Sequence, residues 1–377
     1  MDRRRFLTGV GAVGLGAAGL GALAACSDDD PPTPSPSATT PSATSSETPS
    51  PSPTSTAVAP KVAGEVADGL NVPWGIAFLP GGDALVSQRD SHEIARVSPS
   101  GQVSTIGSVG GVVSTEGGER GLLGIALDPD DAGHLYAYVS TASDNRVLRF
   151  DFDGKRLSGR RTILAGIPVG QHHNGGRLLF GPGDSLFVST GESGTPALAQ
   201  DRSSLGGKIL RIRRDGRAAA GNPFGNRVWT YGHRNVEGLA LDADGRLWAS
   251  EFGDKQADEL NVIRRGRNYG WPDVEGRSDD PAYADPATTW GTDECSPAGI
   301  AITRSHAFVA ALRGRCLWVV PLRGADAGRP RRLLHEQHGR LRSVAVTPTG
   351  ELWVTTSNTD GRGTPERSDD VILRLTL

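Results

Sequence analysis

The chain has 377 residues, with 40 Lys and Arg set against 43 Asp and Glu for a formal net charge of −3. That near balance excludes a chain-wide basic surface of the kind that binds nucleic acid. The three cysteines are Cys26, Cys295 and Cys316.

The first residues read as an address. Arg3-Arg4-Arg5-Phe6-Leu7 precedes a Gly/Ala-rich apolar run that ends at Leu23-Ala24-Ala25-Cys26. Twin arginines point to Tat-type export, and small residues before a cysteine resemble a bacterial lipoprotein cleavage and acylation site. Residues 1–26 are therefore expected to be a Tat-type lipoprotein signal peptide ending at the lipobox cysteine. Simple signal-peptide cleavage and a transmembrane anchor are the alternatives, although the run is shorter than the ~20 residues a span prefers. Residues 27–61 are almost only Pro, Ser, Thr and Ala after three aspartates. Such a stretch has too little apolar surface to offset its ordering entropy, so a disordered tether is expected. The protein is then exported, held to the membrane on the extracytoplasmic side through its N-terminal lipid only. Disulfides persist in that compartment, so Cys295 and Cys316 are expected to pair, with two buried thiols as the alternative.

From Val62 a unit recurs: a short apolar strand, an Asp/Pro/Gly turn, a second strand ending in small polar residues, a loop and a third strand. Its openings include Pro73-Trp74-Gly75-Ile76-Ala77-Phe78, Gly121-Leu122-Leu123-Gly124-Ile125-Ala126-Leu127 and Gly176-Arg177-Leu178-Leu179-Phe180. They continue with Val236-Glu237-Gly238-Leu239-Ala240-Leu241, Pro297-Ala298-Gly299-Ile300-Ala301-Ile302 and Leu341-Arg342-Ser343-Val344-Ala345-Val346. Short strands at this spacing, with no long stretch of helical period, predict an all-β, six-bladed β-propeller over residues 62–377. The N-terminal strand is expected to join the C-terminal run Val371–Leu375 and close the ring, because closure removes an exposed sheet edge.

Propeller loops converge on one channel mouth, so polar residues beside strand starts belong together. Glu119-Arg120 precedes the second opening, and His172-His173-Asn174-Gly175-Gly176-Arg177 forms the third. The fourth repeat carries Gly232-His233-Arg234-Asn235, Glu251-Phe252-Gly253-Asp254, Asp258-Glu259-Leu260-Asn261 and Asn268-Tyr269-Gly270-Trp271-Pro272. Leu312-Arg313-Gly314-Arg315 and Arg340-Leu341-Arg342 follow. Histidine exchanges protons near neutral pH, and arginine forks grip carboxylates. Four convergent arginines would repel one another unless an anion sat among them, while carboxylates and Gly-rich backbone suit calcium. Each element also has a plainer reading. The His-His pair is then a solvated loop capping carbonyls, His233 bonds a turn, the arginines and acids face water, and Trp271 covers a blade edge.

These motifs, in this order, resemble the soluble pyrroloquinoline quinone (PQQ)-dependent aldose dehydrogenases, also called glucose/sorbosone dehydrogenases. The resemblance covers residues 62–377 and implies a six-bladed propeller that binds PQQ and Ca2+ over the channel mouth. It implies His173 as general base and Glu119, His172, Arg234, Asn235, Asp258, Arg313, Arg340 and Arg342 as cofactor-binding residues. It also implies the backbone carbonyls of Gly253 and Asp254 as the pair holding the cofactor-side calcium, with Glu259 and Tyr269 as further calcium ligands. Better-known members have glutamine where this chain has Glu119, lysine in place of Arg313, and Gly-Pro in place of Gly253-Asp254. An acid at 119 is expected to pair with Arg120 or to be protonated.

The expected reaction is oxidation of an aldose at the anomeric carbon to a lactone, with His173 taking the hydroxyl proton, calcium polarising the quinone, and a separate, unidentified acceptor reoxidising the cofactor. The partners expected are a small sugar and that acceptor, with the chain a monomer or dimer. Two rivals stay open: a non-catalytic ligand-binding propeller, and a calcium-dependent sugar lactonase in which metal activates water.

Overall fold

In the computed structural model, which describes residues 58–377, the six repeat openings are the first strands of six antiparallel sheets. The expected signal peptide and nearly all of the expected tether lie outside the described residues. Strand β1 (Lys61–Ala67) is followed by blade 1, β2 to β5 (Pro73–Phe78, Ala84–Gln88, Glu93–Val97, Val103–Ser108). Blade 2 is β6 to β9 (Leu122–Leu127, His134–Ser140, Asn145–Phe152, Leu157–Ile167). Blade 3 is β10 to β13 (Leu178–Gly181, Ser185–Ser189, Lys208–Ile212, Val228–Tyr231), and blade 4 is β14 to β17 (Asn235–Leu241, Leu247–Phe252, Asp258–Ile263, Thr288–Trp290). Blade 5 is β18 to β22 (Pro297–Thr303, His306–Ala311, Cys316–Arg323, Asp326–Ala327, Arg331–Leu333). Blade 6 is β23 to β25 (Leu341–Val346, Leu352–Thr356, Ile372–Thr376) with β1 as its outermost strand. Lys61 stands opposite Thr376 and Ala67 opposite Ile372, so the N-terminal strand closes the ring as expected. The described residues contain no α-helix, only a single 3-10 turn at Pro196–Ala199.

Within a blade, the turn chemistry sets the register. In blade 4 the Asp242 carboxylate accepts the amides of Asp244 and Arg246, and Gly245, at φ +79°, donates to the Asp242 carbonyl. This turn places Leu241 opposite Leu247. Between blades, a hydroxyl near the end of a second strand reaches the first strand of the next blade. Ser87 donates to the Leu123 carbonyl, Ser189 to Val236, Ser250 to Ala298 and Thr355 to Pro73. The recurrent glycine of the openings has a matching cause. A Cβ on Gly124 would lie 2.2 Å from the Gly176 carbonyl oxygen, and one on Gly238 would lie 2.4 Å from that of Ala298. First strands thus approach at backbone distance around the channel.

Apolar side chains fill the faces between blades. Leu85, Ile94, Leu122, Leu135 and Leu148 are fully buried in one such cluster, each worth about 1.5–3 kcal/mol relative to exposure. Cys295 and Cys316 lie in another, with Trp290 and Trp318. They are free buried thiols, so the expected bridge is absent. Burial pushes both thiols up, Cys316 to about 12. The thiolate that would begin oxidation is therefore disfavoured.

In each antiparallel sheet the first and third strands begin where the second ends. Glu119, His173, Arg234 and Arg340 precede or open first strands, Asp258 opens a third, and Gly253 and Arg313 follow second strands. All therefore lie at one end of their blades.

Candidate active site

The His172–Arg177 segment is held in a conformation that only its neighbours justify. His173 has φ +58°, in the left-handed region, followed by Gly175 at +63° and Gly176 at +112°. A non-glycine residue there costs energy, which surrounding hydrogen bonds must offset. The His173 amide donates to Glu119 Oε2 at 2.7 Å, and its carbonyl accepts the Ser193 amide at 3.0 Å. Asn235, buried at the start of β14, accepts the Gly175 amide through Oδ1 at 2.9 Å. Its side chain therefore supports the histidine loop. A Cβ on Gly175 would lie 2.6 Å from Thr190 Cα, so the loop is seated on the end of β11.

His173 Nδ1 is hydrogen bonded to Glu192 Oε1, and the carboxylate is almost fully buried. Against an ionised carboxylate Nδ1 is the donor, and in the neutral imidazole Nε2 is then the acceptor nitrogen. Nε2 has no hydrogen-bond partner among the described residues, and the ring is 21% exposed. The site thus holds an oriented imidazole with its basic nitrogen free. Glu192 Oε2 is buried without a partner.

Glu119 does not pair with Arg120, whose Nε donates to the Gly170 carbonyl. Its partner is Arg362, at 3.1 Å, a residue from the loop after β24. Burial pushes the Glu119 carboxyl up. His172, 3.7 Å away, the Arg362 guanidinium and the His173 amide outweigh that and hold it well below the usual range. Glu119 is therefore ionised, and the expected pairing is corrected. His172 is half exposed, with Arg362 Nη2 at 3.1 Å from its Nδ1.

The arginines come to the same mouth with anions of their own. Arg340 Nη2 lies 2.9 Å from Asp360 Oδ2, and Arg342 reaches the same oxygen at 3.3 Å and Glu237 at 3.1 Å. Asp360 is 1% exposed. Arg177 is buried over the Trp74 ring, 4.3 Å from its centroid, and burial pulls its guanidinium down. Arg234 pairs with Asp254 at 2.9 Å and lies 5.3 Å over Trp271, with its buried Nε unpartnered. Arg313 is exposed in the turn after β19 and makes no hydrogen bond or ion pair among the described residues. The expectation that convergent arginines require a bound anion is therefore corrected. Internal carboxylates already neutralise three of the four.

The loop after β15 is built on backbone. Asp258 Oδ1 accepts the Gly253 amide at 2.9 Å and Oδ2 the Ser296 amide at 2.6 Å. Its carboxyl is raised to about 6, by burial first, against those amides. Both oxygens of this expected cofactor contact thus hold loops. Glu259 stands opposite Glu251 in the sheet. Burial, then the neighbouring Glu251, pushes its carboxyl up. A cavity of about 10 Å³, room for a single water-sized occupant, is lined by Glu251, Gly253, Glu259, Tyr269, Trp271 and Glu275 among others. The Tyr269 hydroxyl is spent on the Val262 carbonyl and the Arg264 amide. Its carbonyl accepts no hydrogen bond among the described residues. His233 is a structural histidine, fully buried between Thr230 and Glu251 and stacked on Tyr269 at 4.6 Å. A larger cavity of about 860 Å³, lined by Arg264, Arg267, Arg277 and Tyr283 among others, contains none of the site residues expected from sequence.

The sequence pattern of glucose/sorbosone dehydrogenases matches residues 70–373. The chain belongs to that family. A Streptomyces coelicolor aldose sugar dehydrogenase, solved in its PQQ-bound form, is similar over 84% of this chain and 97% of its own. Identity is 51% and the TM-score 0.81. Quinoprotein glucose dehydrogenase B of Acinetobacter calcoaceticus is 32% identical over 257 residues, which is 58% of this chain and 54% of that protein. The chain thus spans about half the length of that relative. Aldose sugar dehydrogenase YliI of Escherichia coli K12 is 28% identical over 334 residues, 78% of this chain and 89% of that protein.

In this glucose/sorbosone dehydrogenase the motifs read from sequence account for the residues at first-strand starts and for Gly253, Asp254 and Arg313 after second strands. They miss Glu192, Asp360 and Arg362, which follow the second strands β11 and β24. Gly191-Glu192-Ser193, Gly253-Asp254 and Asp360-Gly361-Arg362 each lie in the loop after a second strand, the segment that a comparison across repeats marks.

Proposed function

We propose that the chain is a PQQ- and calcium-dependent oxidoreductase that oxidises an aldose at its anomeric carbon to the lactone. The observation that carries this reading is His173, whose Nδ1 is fixed on buried Glu192 while Nε2 of the partly exposed ring has no partner among the described residues. Family membership and the similarity to a PQQ-bound aldose sugar dehydrogenase support it.

Three features of the residues favour the two groups. Arg234, with a buried Nε left open, and the exposed Arg313 are cationic donors suited to a flat polycarboxylate. The paired carboxylates Glu251 and Glu259, beside a cavity of single-ion size and the open Tyr269 carbonyl, are hard oxygen donors. The carbonyls of Gly253 and Asp254 accept no hydrogen bond among the described residues. When bound, PQQ supplies the two-electron acceptor and calcium the positive charge that polarises it.

His173 Nε2 takes the proton of the anomeric hydroxyl as the same carbon gives up hydride, leaving the lactone carbonyl. Glu192 holds the imidazole in the tautomer that permits this and stabilises the imidazolium that forms. Arg340 and Arg342 are held in place by Asp360 and Glu237. Glu192→Gln is expected to lower kcat roughly 10–100-fold, less than loss of the imidazole itself, with PQQ affinity unchanged. Stopped-flow reduction and a PQQ titration check this. The overall test is apoprotein reconstituted with PQQ and calcium and assayed by dye reduction with several aldoses. Absence of turnover with every sugar, together with no quinone absorbance on the protein, overturns the proposal.

Export through the twin-arginine leader and lipid anchoring at Cys26 belong to the same reading. Cys26→Ser is expected to move the protein from the membrane fraction to the soluble extracytoplasmic fraction, checked by fractionation and immunoblot.

A further inference from the structure

Glu275, in the segment after Asn268-Tyr269-Gly270-Trp271-Pro272, has no role in the reaction described above, yet its carboxylate is unusually engaged. Its Oε1 accepts four successive backbone amides: Asp254 at 2.6 Å, Lys255 at 3.0 Å, Gln256 at 2.9 Å and Ala257 at 3.0 Å. Successive amides converging on one point form an anion-binding concavity. Here the anion is part of the chain. The preceding amide, Gly253, is taken by Asp258, so no N–H from 253 to 257 is left over.

The consequence lies on the opposite side of the loop. In a trans peptide unit the N–H and C=O point in opposite directions, and none of these units is cis. The amides of 254 to 257 belong to the same peptide units as the carbonyls of Gly253, Asp254, Lys255 and Gln256. With the four amides aimed at Glu275, those four carbonyls aim away from it. None of the four accepts a hydrogen bond among the described residues. The side chain at 253 is also constrained, because a Cβ there would lie 2.6 Å from Glu275 Oε1 and 2.0 Å from the Ala257 carbonyl oxygen.

We propose that Glu275 is the positioning residue of the cation loop, a built-in anion that turns the carbonyls of Gly253 and Asp254 outward as ligands for a hard divalent cation. The inference rests on the calcium reading above and extends it to a residue that lines the small cavity without being one of the ligands named there. Glu275 acts in two ways. It fixes the direction of the carbonyls before the ion arrives, so no ordering cost is left for binding. Its charge also polarises each peptide unit through the N–H, which strengthens the carbonyl as a donor. Partners behind a ligand commonly carry 10–100-fold in metal affinity.

The test uses the full exported chain without PQQ. Glu275→Gln is expected to raise the calcium Kd about 10–100-fold in a titration followed by tryptophan fluorescence, and to abolish most of the calcium-dependent rise in Tm. Amide hydrogen exchange at 254–257 should accelerate in the variant, with protection elsewhere in blade 4 retained, which separates this role from general unfolding. In Glu275→Ala, added formate, which can occupy the vacated concavity, should restore calcium affinity in part. A Glu275→Gln protein that binds calcium within twofold of wild type, or keeps its 254–257 amides protected, overturns the inference while leaving the calcium reading intact. A wild-type chain with no calcium response overturns both.

Discussion

His173→Ala is expected to lower kcat by about 10²–10⁴-fold, the range carried by a positioned general base, while PQQ still binds. The split follows from where the contacts are. The imidazole offers Nε2 to the substrate, whereas its other nitrogen, its amide and its carbonyl are spent on Glu192, Glu119 and Ser193. Truncation leaves the backbone bonds that shape the loop, and Arg234 and Arg313 stay in place. Single-turnover reduction measured beside a spectral titration with PQQ separates the two effects. Retained turnover would move the proton transfer to another group, and loss of PQQ binding would make His173 a structural residue.

Asp360→Ala is expected to destabilise the protein by about 3–5 kcal/mol, the usual cost of stranding buried charge by removing one partner. Asp360 Oδ2 serves Arg340, Arg342 and Ser357, and Oδ1 accepts the Arg362 amide. Arg342 keeps Glu237 in the variant, but Arg340 loses its carboxylate. Urea unfolding with an unchanged m-value and a lower midpoint measures the loss. A pH dependence accompanies it. Burial raises the Asp360 carboxyl, but Arg342 and Arg340 more than reverse this and hold it below its ordinary value. A depressed carboxyl contributes stability that is complete above the unfolded value of ~4 and fades as pH falls through the folded value. The acid limb of the stability profile should therefore be shallower in Asp360→Ala than in wild type. A variant as stable as wild type at neutral pH would show that the arginines find other partners.

Local chemistry explains which parts of the molecule were readable in advance. The repeat openings carry an apolar pattern, a turn and a small residue where backbones touch, and each of these is a property of a few consecutive residues. Six such units imply six sheets, and a free strand at each end implies closure by β1 beside β25. The histidine loop was legible for the same reason, since paired histidines beside paired glycines mark a polar turn within a few consecutive residues, although its neighbours decide the positive φ angles.

Partnership across blades was not legible, because it joins residues far apart in the chain. Glu119 meets Arg362, 243 positions away, and not its neighbour Arg120. Arg342 meets Glu237 from another blade, so a cluster of arginines that looks unbalanced along the chain is largely neutralised in space. Cys295 and Cys316 share a core without bonding, since an apolar surrounding keeps both as thiols. The linear order of residues thus decided the blades, their turns and the end at which polar loops gather. Folding decided which charge answers which, which nitrogen of His173 is free, and which way the carbonyls after β15 point. Those depend on desolvation and direction, and both exist only once the six sheets have closed around the channel.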